Sequence, residues 1–240
     1  MRCLTLLPLI GLAGVALSGA AHCESVTLAT QDWPPYHMAV NGSVDGISVR
    51  VITCVLDRIG FTPDVAIFPW TEAQRRVRDG TSDGFFSAAR NAQRDAYAVR
   101  SKAIAPQSWR WYWRRDHKVD LQDREAKIAV QLDTAQHQWL IDHGYQHLEP
   151  TATTLDMIRL VEGGQVDAAL ANQLSFDWGM MLTGVKEAAV SSQLLWNGSL
   201  GVYFSKSFLE RHPGFLNRFD AEIPACRVKA RIPEADGSAD

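Results

Sequence analysis

A short unit occurs twice in this chain, and it constrains the fold more than any other feature. Arg75-Arg76-Val77-Arg78-Asp79-Gly80-Thr81-Ser82-Asp83 runs into Gly84-Phe85-Phe86, and Arg159-Leu160-Val161-Glu162-Gly163-Gly164-Gln165-Val166-Asp167 runs into Ala168-Ala169-Leu170. Arg, Val, Gly and Asp recur at the same offsets. Each copy reads as a helix end, a tight glycine turn and a buried strand opened by Asp. The elements around the first copy follow the order β-α-β-α-β. Val26 to Thr30 reads as a strand and Trp33-Pro34-Pro35-Tyr36 as a loop. Ile52, Val55, Leu56 and Ile59 share one face of a helix over Ile47 to Ile59, stopped by Gly60. Val65 to Phe68 reads as a strand. Thr71 with Gln74 reads as a capping box that opens a short helix ended by Gly80, and Asp83 to Ser87 as a strand. The order then starts over: Lys127 to Gln131 a strand, Ala135 to His143 a helix, a short strand near Tyr145, Leu155 to Glu162 a helix, Val166 to Ala171 a strand. This predicts an α/β protein of two similar Rossmann-like lobes with mostly parallel sheets.

Two segments can carry the chain between lobes. Ile104 to Arg115, with Trp109-Arg110-Trp111-Tyr112-Trp113, suits an extended crossover strand with two different faces. Leu200 to Phe204 fits the return. Phe208 to Ile223 reads as a final helix on the first lobe, with Pro213 near its start or at a break. The expected division is residues 22–108 and 201–231 for lobe 1 and 109–200 for lobe 2, with a disordered tail over 232–240.

The N-terminus indicates the compartment. Met1-Arg2 is a basic start, Leu4 to Leu17 is almost entirely apolar, and Ser18-Gly19-Ala20-Ala21 is a small-residue stretch. That is the order of a secretory signal peptide over residues 1–21, too short for a span of about 20 apolar residues. The expected location is the periplasm. Of the four cysteines Cys3 leaves with the leader. Cys54 is expected to pair with Cys23 or Cys226, the third thiol remaining free. With a net charge of −3 and no basic stripe, nucleic-acid binding is not expected. His143 and His147 are separated by Gly144 and lack a third ligand, so no metal or other cofactor is expected. No G-x-S-x-G elbow occurs. Asn41-Gly42-Ser43 and Asn197-Gly198-Ser199 match glycosylation acceptors, and each also reads as a plain turn.

The residues taken together resemble the family-3 extracellular solute-binding proteins, the periplasmic components of polar amino-acid ABC transporters. The matching features are Trp33-Pro34-Pro35-Tyr36 after the first strand, Gly46-Ile47 opening the first helix, Pro69-Trp70, Gly80-x-x-Asp83, Arg94 followed by Ser101, and Gly164-x-x-Asp167 in the second half. The resemblance implies a type 2 periplasmic-binding-protein fold, two lobes joined by two crossover strands that close by a hinge on a small-molecule ligand. It implies a monomer whose partner is an ABC permease or a membrane sensor. By position, Arg94 would clamp a ligand carboxylate through its planar guanidinium, with Ser87 and Thr134 donating to the same group. Trp33 and Trp70 would sandwich the ligand.

Several positions depart from the family pattern. The acid that pairs with a ligand ammonium in amino-acid binders is Asn172 here, and asparagine cannot balance a buried charge. The hydroxyl residue at the head of the arginine motif is Asn91. Ala89 stands where a hydroxyl is usual, and Asp133 replaces the glycine before Thr134. An ordinary α-amino acid is therefore not the expected ligand. A carboxylate-bearing or neutral polar molecule with a flat or apolar part fits better. Arg90 stands close to the same positions but reads as a solvated arginine. The expected function is binding without catalysis. The alternative is a lyase on the same scaffold, like the periplasmic cyclohexadienyl dehydratases, with Asp133 as general acid.

Overall fold

The computed structural model describes residues 24–132 and 134–230. The leader, Cys3, Cys23, Asp133 and the 232–240 tail, on which expectations were placed, lie outside these residues. In chain order the elements are β1 (Glu24–Thr30), β2 (Met38–Val40), β3 (Ser43–Asp45), α1 (Ile47–Ile59), β4 (Phe61–Ile67), α2 (Trp70–Arg78), β5 (Gly84–Ala88), α3 (Ala92–Asp95), β6 (Ala98–Arg100) and β7 (Ala105–Arg114). There follow β8 (Lys127–Gln131), α4 (Ala135–Asp142), β9 (His147–Thr151), α5 (Thr154–Glu162), β10 (Ala168–Asn172), α6 (Gln173–Thr183), a 3-10 turn at Glu187–Ala189, β11 (Val190–Ser205), α7 (Lys206–Arg211) and α8 (Phe215–Lys229).

Each lobe is built alike. In the first, β4, β1 and β5 are parallel neighbours and β11 runs antiparallel beside β5. In the second, β9, β8 and β10 are parallel and β7 runs antiparallel beside β10. The strands β5 and β10 are buried along their whole length, as parallel strands covered on both faces must be. Helices α1 and α8 cover one face of the first sheet through Ile52, Val55, Leu56, Phe215, Phe219 and Ile223, and α2 covers the other through Ala73 and Val77. In the second lobe α5 and α6 pack one face and α4 the other.

The repeated unit has a structural cause. Gly80 and Gly164 both sit at positive φ, 76° and 63°, where a side chain is disfavoured. Behind each, Thr81 and Gln165 donate back to the helix carbonyls of Arg76 and Leu160. Each Asp then clamps the first strand of its own lobe. Asp83 Oδ2 accepts from Thr27 N at 2.9 Å, and Asp167 Oδ2 accepts from Lys127 N at 2.8 Å. The helix end, turn and clamp recur because both lobes must turn a helix back beside the first strand.

The two crossovers are one long antiparallel pair. β11 pairs with β7 from Val190 to Leu200, then moves to β5 and β6 from Gly201 onward. The return strand is thus much longer than the expected Leu200 to Phe204. Asn197-Gly198 lies inside it, paired with Ser108 and Gln107, so the turn reading holds only for Asn41-Gly42, between β2 and β3. The tryptophans of β7 share a face: Trp109, Trp111 and Trp113 join one core cluster, and Tyr112 joins the cluster on the opposite face.

Two further expectations change. Thr71 and Gln74 form no capping box. α2 starts one residue earlier, Pro69 precedes it and no side chain caps it. Pro69 stands at the cap position without a side-chain acceptor, and its carbonyl takes the first helical bond, from Ala73 N at 2.9 Å. The C-terminal helix is two helices, separated at His212-Pro213-Gly214. Cys54 on α1 is bonded to Cys226 on α8, with their Cα atoms 5.7 Å apart, which resolves the two sequence alternatives. No helix among the described residues is long and apolar enough to cross a membrane.

Candidate functional site

Between the lobes lies a cavity of about 820 Å³. It opens beyond the carboxyl ends of β1, β5, β8 and β10, the usual place for ligands in open α/β sheets. All seven side chains singled out in the sequence line it: Trp33, Trp70, Ser87, Asn91 and Arg94 from the first lobe, Thr134 and Asn172 from the second. Arg90 is exposed and is not part of the lining. Asp133, on which the lyase alternative depends, lies outside the described residues.

Arg94 is held on several sides. Its Nε donates to Gln74 Oε1 and its Nη1 to the Ala89 carbonyl, both at 2.9 Å. The guanidinium carbon stands 5.2 Å from the Trp70 ring centroid and 5.9 Å from that of Phe85. Gln74 therefore positions the arginine instead of capping its helix. With Nε committed, the end-on edge of Nη1 and Nη2 is what the fork can offer a carboxylate. Burial pulls the Arg94 pKa down from its ordinary value. A partly desolvated cation gains more from an anionic partner than a solvated one.

The other polar side chains are partly spent within the fold. Asn91 caps α3, its Oδ1 accepting from Gln93 N and Arg94 N, so it fixes the backbone that presents Arg94. Thr134 caps α4, accepting from His137 N and donating to the Gln131 carbonyl at 2.7 Å. Ser87 donates to Ser48 Oγ at 2.8 Å. It stands at φ 57°, a region that costs an L-residue roughly 1–2 kcal/mol. Strain of this kind at the end of β5 is found where a backbone is shaped for a task beyond packing.

The aromatic wall is anchored by the loop after β1. Ile47 N donates to the Pro35 carbonyl and Ser48 N to that of Tyr36, both at 3.0 Å. The loop thus satisfies the first amides of α1. Gly46 allows this approach: a Cβ there would lie 2.4 Å from the Tyr36 carbonyl oxygen. Trp33 packs on Tyr36 with ring centroids 4.6 Å apart.

Below it His37 is fully buried, edge-on to Phe86, with Nδ1 donating to the Gln31 carbonyl and Nε2 without a partner. Burial pushes its pKa down to about 4. The unfolded chain takes up this proton near pH 6.5, so between those values the unfolded state binds more protons than the native one. Stability is therefore expected to fall as pH drops from about 6.5 to about 4, by up to about 3 kcal/mol from this group, and then to level off. Urea unfolding across that range checks it, with His37→Gln expected to flatten the slope.

Sequence reasoning missed several lining residues. Gln107, Gln136 and Ser175 are buried polar groups on the wall, and Leu132 and Ile141 are about half exposed there, 50% and 49%. Ser175 had a local signal, standing three residues after the helix cap Asn172. The others come from segments that only the tertiary fold brings to the cleft. Among the described lining residues Arg94 carries the one permanent charge, and no carboxylate is present.

No protein-family model and no curated protein matches the chain. Solved structures do. A histidine kinase sensor domain with similarity to periplasmic binding proteins superposes with a TM-score of 0.72 at 20% identity, over 86% of this chain and 92% of that one. An ancestral cationic amino acid solute-binding protein gives 0.69 at 15% identity, over 88% and 93%. The substrate-binding protein of an amino acid ABC transporter gives 0.66 at 14% identity, over 86% and 96%. The chain has the type 2 periplasmic-binding-protein fold.

Proposed function

We propose that this protein is an extracytoplasmic solute-binding protein whose lobes close on a small ligand bearing a carboxylate. The ligand would be presented to a membrane partner, either an ABC permease or a sensor. The observation that carries this reading is the charge pattern of the cavity. A single half-buried cation, Arg94, faces amides, hydroxyls and two tryptophans, with no described acid to oppose it. An anion entering such a site meets its only strong electrostatic partner there. The structural neighbours include both a kinase sensor domain and a transporter component, which supports either partner equally. The apolar leader-like start supports export to the periplasm.

A calorimetric screen of the purified protein against organic acids, amino acids and polyols tests the proposal. Carboxylates are expected to bind and polyols not. A ligand set made only of compounds without a carboxylate would sink it.

A further inference from the structure

We infer that Leu132 and Ile141 form an apolar subsite of this cavity, and that the ligand is a monocarboxylic acid with a cyclic, aromatic or branched hydrocarbon body, and not a polyhydroxylated acid or a diacid. The inference rests on the carboxylate reading above and names the part of the ligand that it leaves open.

Leu132 follows the last residue of β8, and its amide donates to the Thr151 carbonyl at 3.0 Å. Ile141 lies on α4, seven residues after the cap Thr134. Seven residues make close to two helical turns, so Ile141 stands on the Thr134 side of the helix, about 10 Å further along it. Thr134, His137, Gln138 and Ile141 share this side, and all four line the cavity, as does Leu132.

Packing of the fold accounts for neither apolar side chain. α4 is held on its sheet by Leu140, with Trp139 against the same cluster. Among the described residues neither Leu132 nor Ile141 joins a core cluster. The helix is partly inverted: Gln136 is buried while Ile141 is half exposed, the reverse of an ordinary surface helix. Both side chains are open to a molecule in the cavity, and covering them removes apolar surface from water.

The polar groups around them are committed inside the fold. Gln138 donates to Asp142 Oδ1 at 2.8 Å, Gln131 to the Ala152 carbonyl, and Thr134 to the Gln131 carbonyl. A body bearing hydroxyls would leave water here for few partners. His137 carries no permanent charge, so a second carboxylate would find no cation on this wall to match Arg94. The first lobe offers Trp33, Pro69 and Trp70 to the same cavity, and the Arg94 guanidinium stands beside Trp70. A carboxylate on Arg94 therefore starts next to an aromatic surface, with Leu132 and Ile141 on the other lobe.

Matched pairs test this by calorimetry. Cyclohexanecarboxylate is set against quinate, which keeps the ring and carboxylate but carries hydroxyls. 4-Methylpentanoate is set against glutarate, which exchanges the branched end for a second carboxylate. Within at least one pair the apolar acid is expected to bind at least about tenfold more tightly. Leu132→Gln and Ile141→Gln change half-exposed positions outside the core. Each is expected to lower affinity for the apolar acid several-fold and to leave that for its polar partner unchanged. Should one variant not fold, the other carries the test. The inference is overturned if the polar member of both pairs binds as well as the apolar one, if the variants leave every affinity unchanged, or if no member binds. It is also overturned if the variants weaken both members of a pair alike, since the two residues would then seal the lobes on each other without touching the ligand. If no member binds, a different carboxylate from the wider screen, lost in Arg94→Ala, would leave the carboxylate reading standing. An apolar acid that binds Arg94→Ala as tightly as the unmodified protein would remove that reading, and with it the acid named here.

Discussion

Arg94→Ala is expected to abolish measurable binding of any carboxylate ligand while leaving the protein folded. Removing one partner of a buried, hydrogen-bonded charge pair costs about 2–5 kcal/mol, so affinity should fall by between about 30-fold and about 5,000-fold. The free protein should lose little. Burial already disfavours the charged guanidinium, as its lowered pKa shows, and its fixed contacts are a glutamine side chain, one carbonyl and two aromatic rings. What is lost is packing against Trp70 and Phe85, offset by relief of a desolvated cation. Arg94→Lys separates charge from geometry. A lysine keeps the charge but cannot present two parallel donors, so intermediate affinity is expected. Gln74→Ala frees the Nε and should weaken binding less than Arg94→Ala. Calorimetry with thermal scans of each free variant distinguishes these outcomes. Unchanged affinity in Arg94→Ala would move the ligand away from this wall.

The lobe architecture was legible because the features that specify it are local. The α1 periodicity with its Gly60 stop predicted Ile47–Ile59, which is the helix observed. The doubled Gly-x-x-Asp unit was visible because one turn and one carboxylate clamp serve both lobes. The first half of β11 was not visible. Its residues Ser191, Ser192 and Gln193 show no apolar alternation, and its Asn-Gly pair signals a turn. Pairing with β7 over almost its whole length overrides both. α6 was hidden for a related reason. It contains Gly179, a poor helix residue in isolation, yet a Cβ there would stand 2.5 Å from Ile158 Cδ1. The glycine lets α5 and α6 approach closely, which no window of sequence reveals. The site divides the same way. Arg94 and the tryptophans could be named from motif positions, and they do converge on one cavity. That Gln74 steers the arginine follows from a contact between segments far apart in the chain.

The largest expected change in stability comes from Cys54 and Cys226. The bond joins residues 172 apart in sequence, so the closed loop contains most of lobe 1 and the whole of lobe 2. In the chain-entropy picture a loop of 100 residues is worth about 4.7 kcal/mol and the dependence on length is logarithmic, which puts this bond near 5 kcal/mol as an upper figure. Measured losses for native disulfides are commonly about 2–5 kcal/mol. At about 2–4 °C per kcal/mol for a chain of this size, a loss near 3 kcal/mol lowers Tm by roughly 6–12 °C. Cys226 is fully buried and sits with Ile223 and Phe219 in the apolar cluster that seals α8 on α1. The double variant Cys54→Ala, Cys226→Ala removes the bond without leaving a thiol to react, and the alanines keep both helices intact. Its ligand affinity should stay unchanged. Neither α1 nor α8 contributes a described residue to the cavity wall, and the crossover pair β7–β11 is untouched. A reductant added to the unmodified protein should reproduce the same Tm shift. A shift below about 2 °C would mean that α8 docks by packing alone, with the bond adding little to the closed fold.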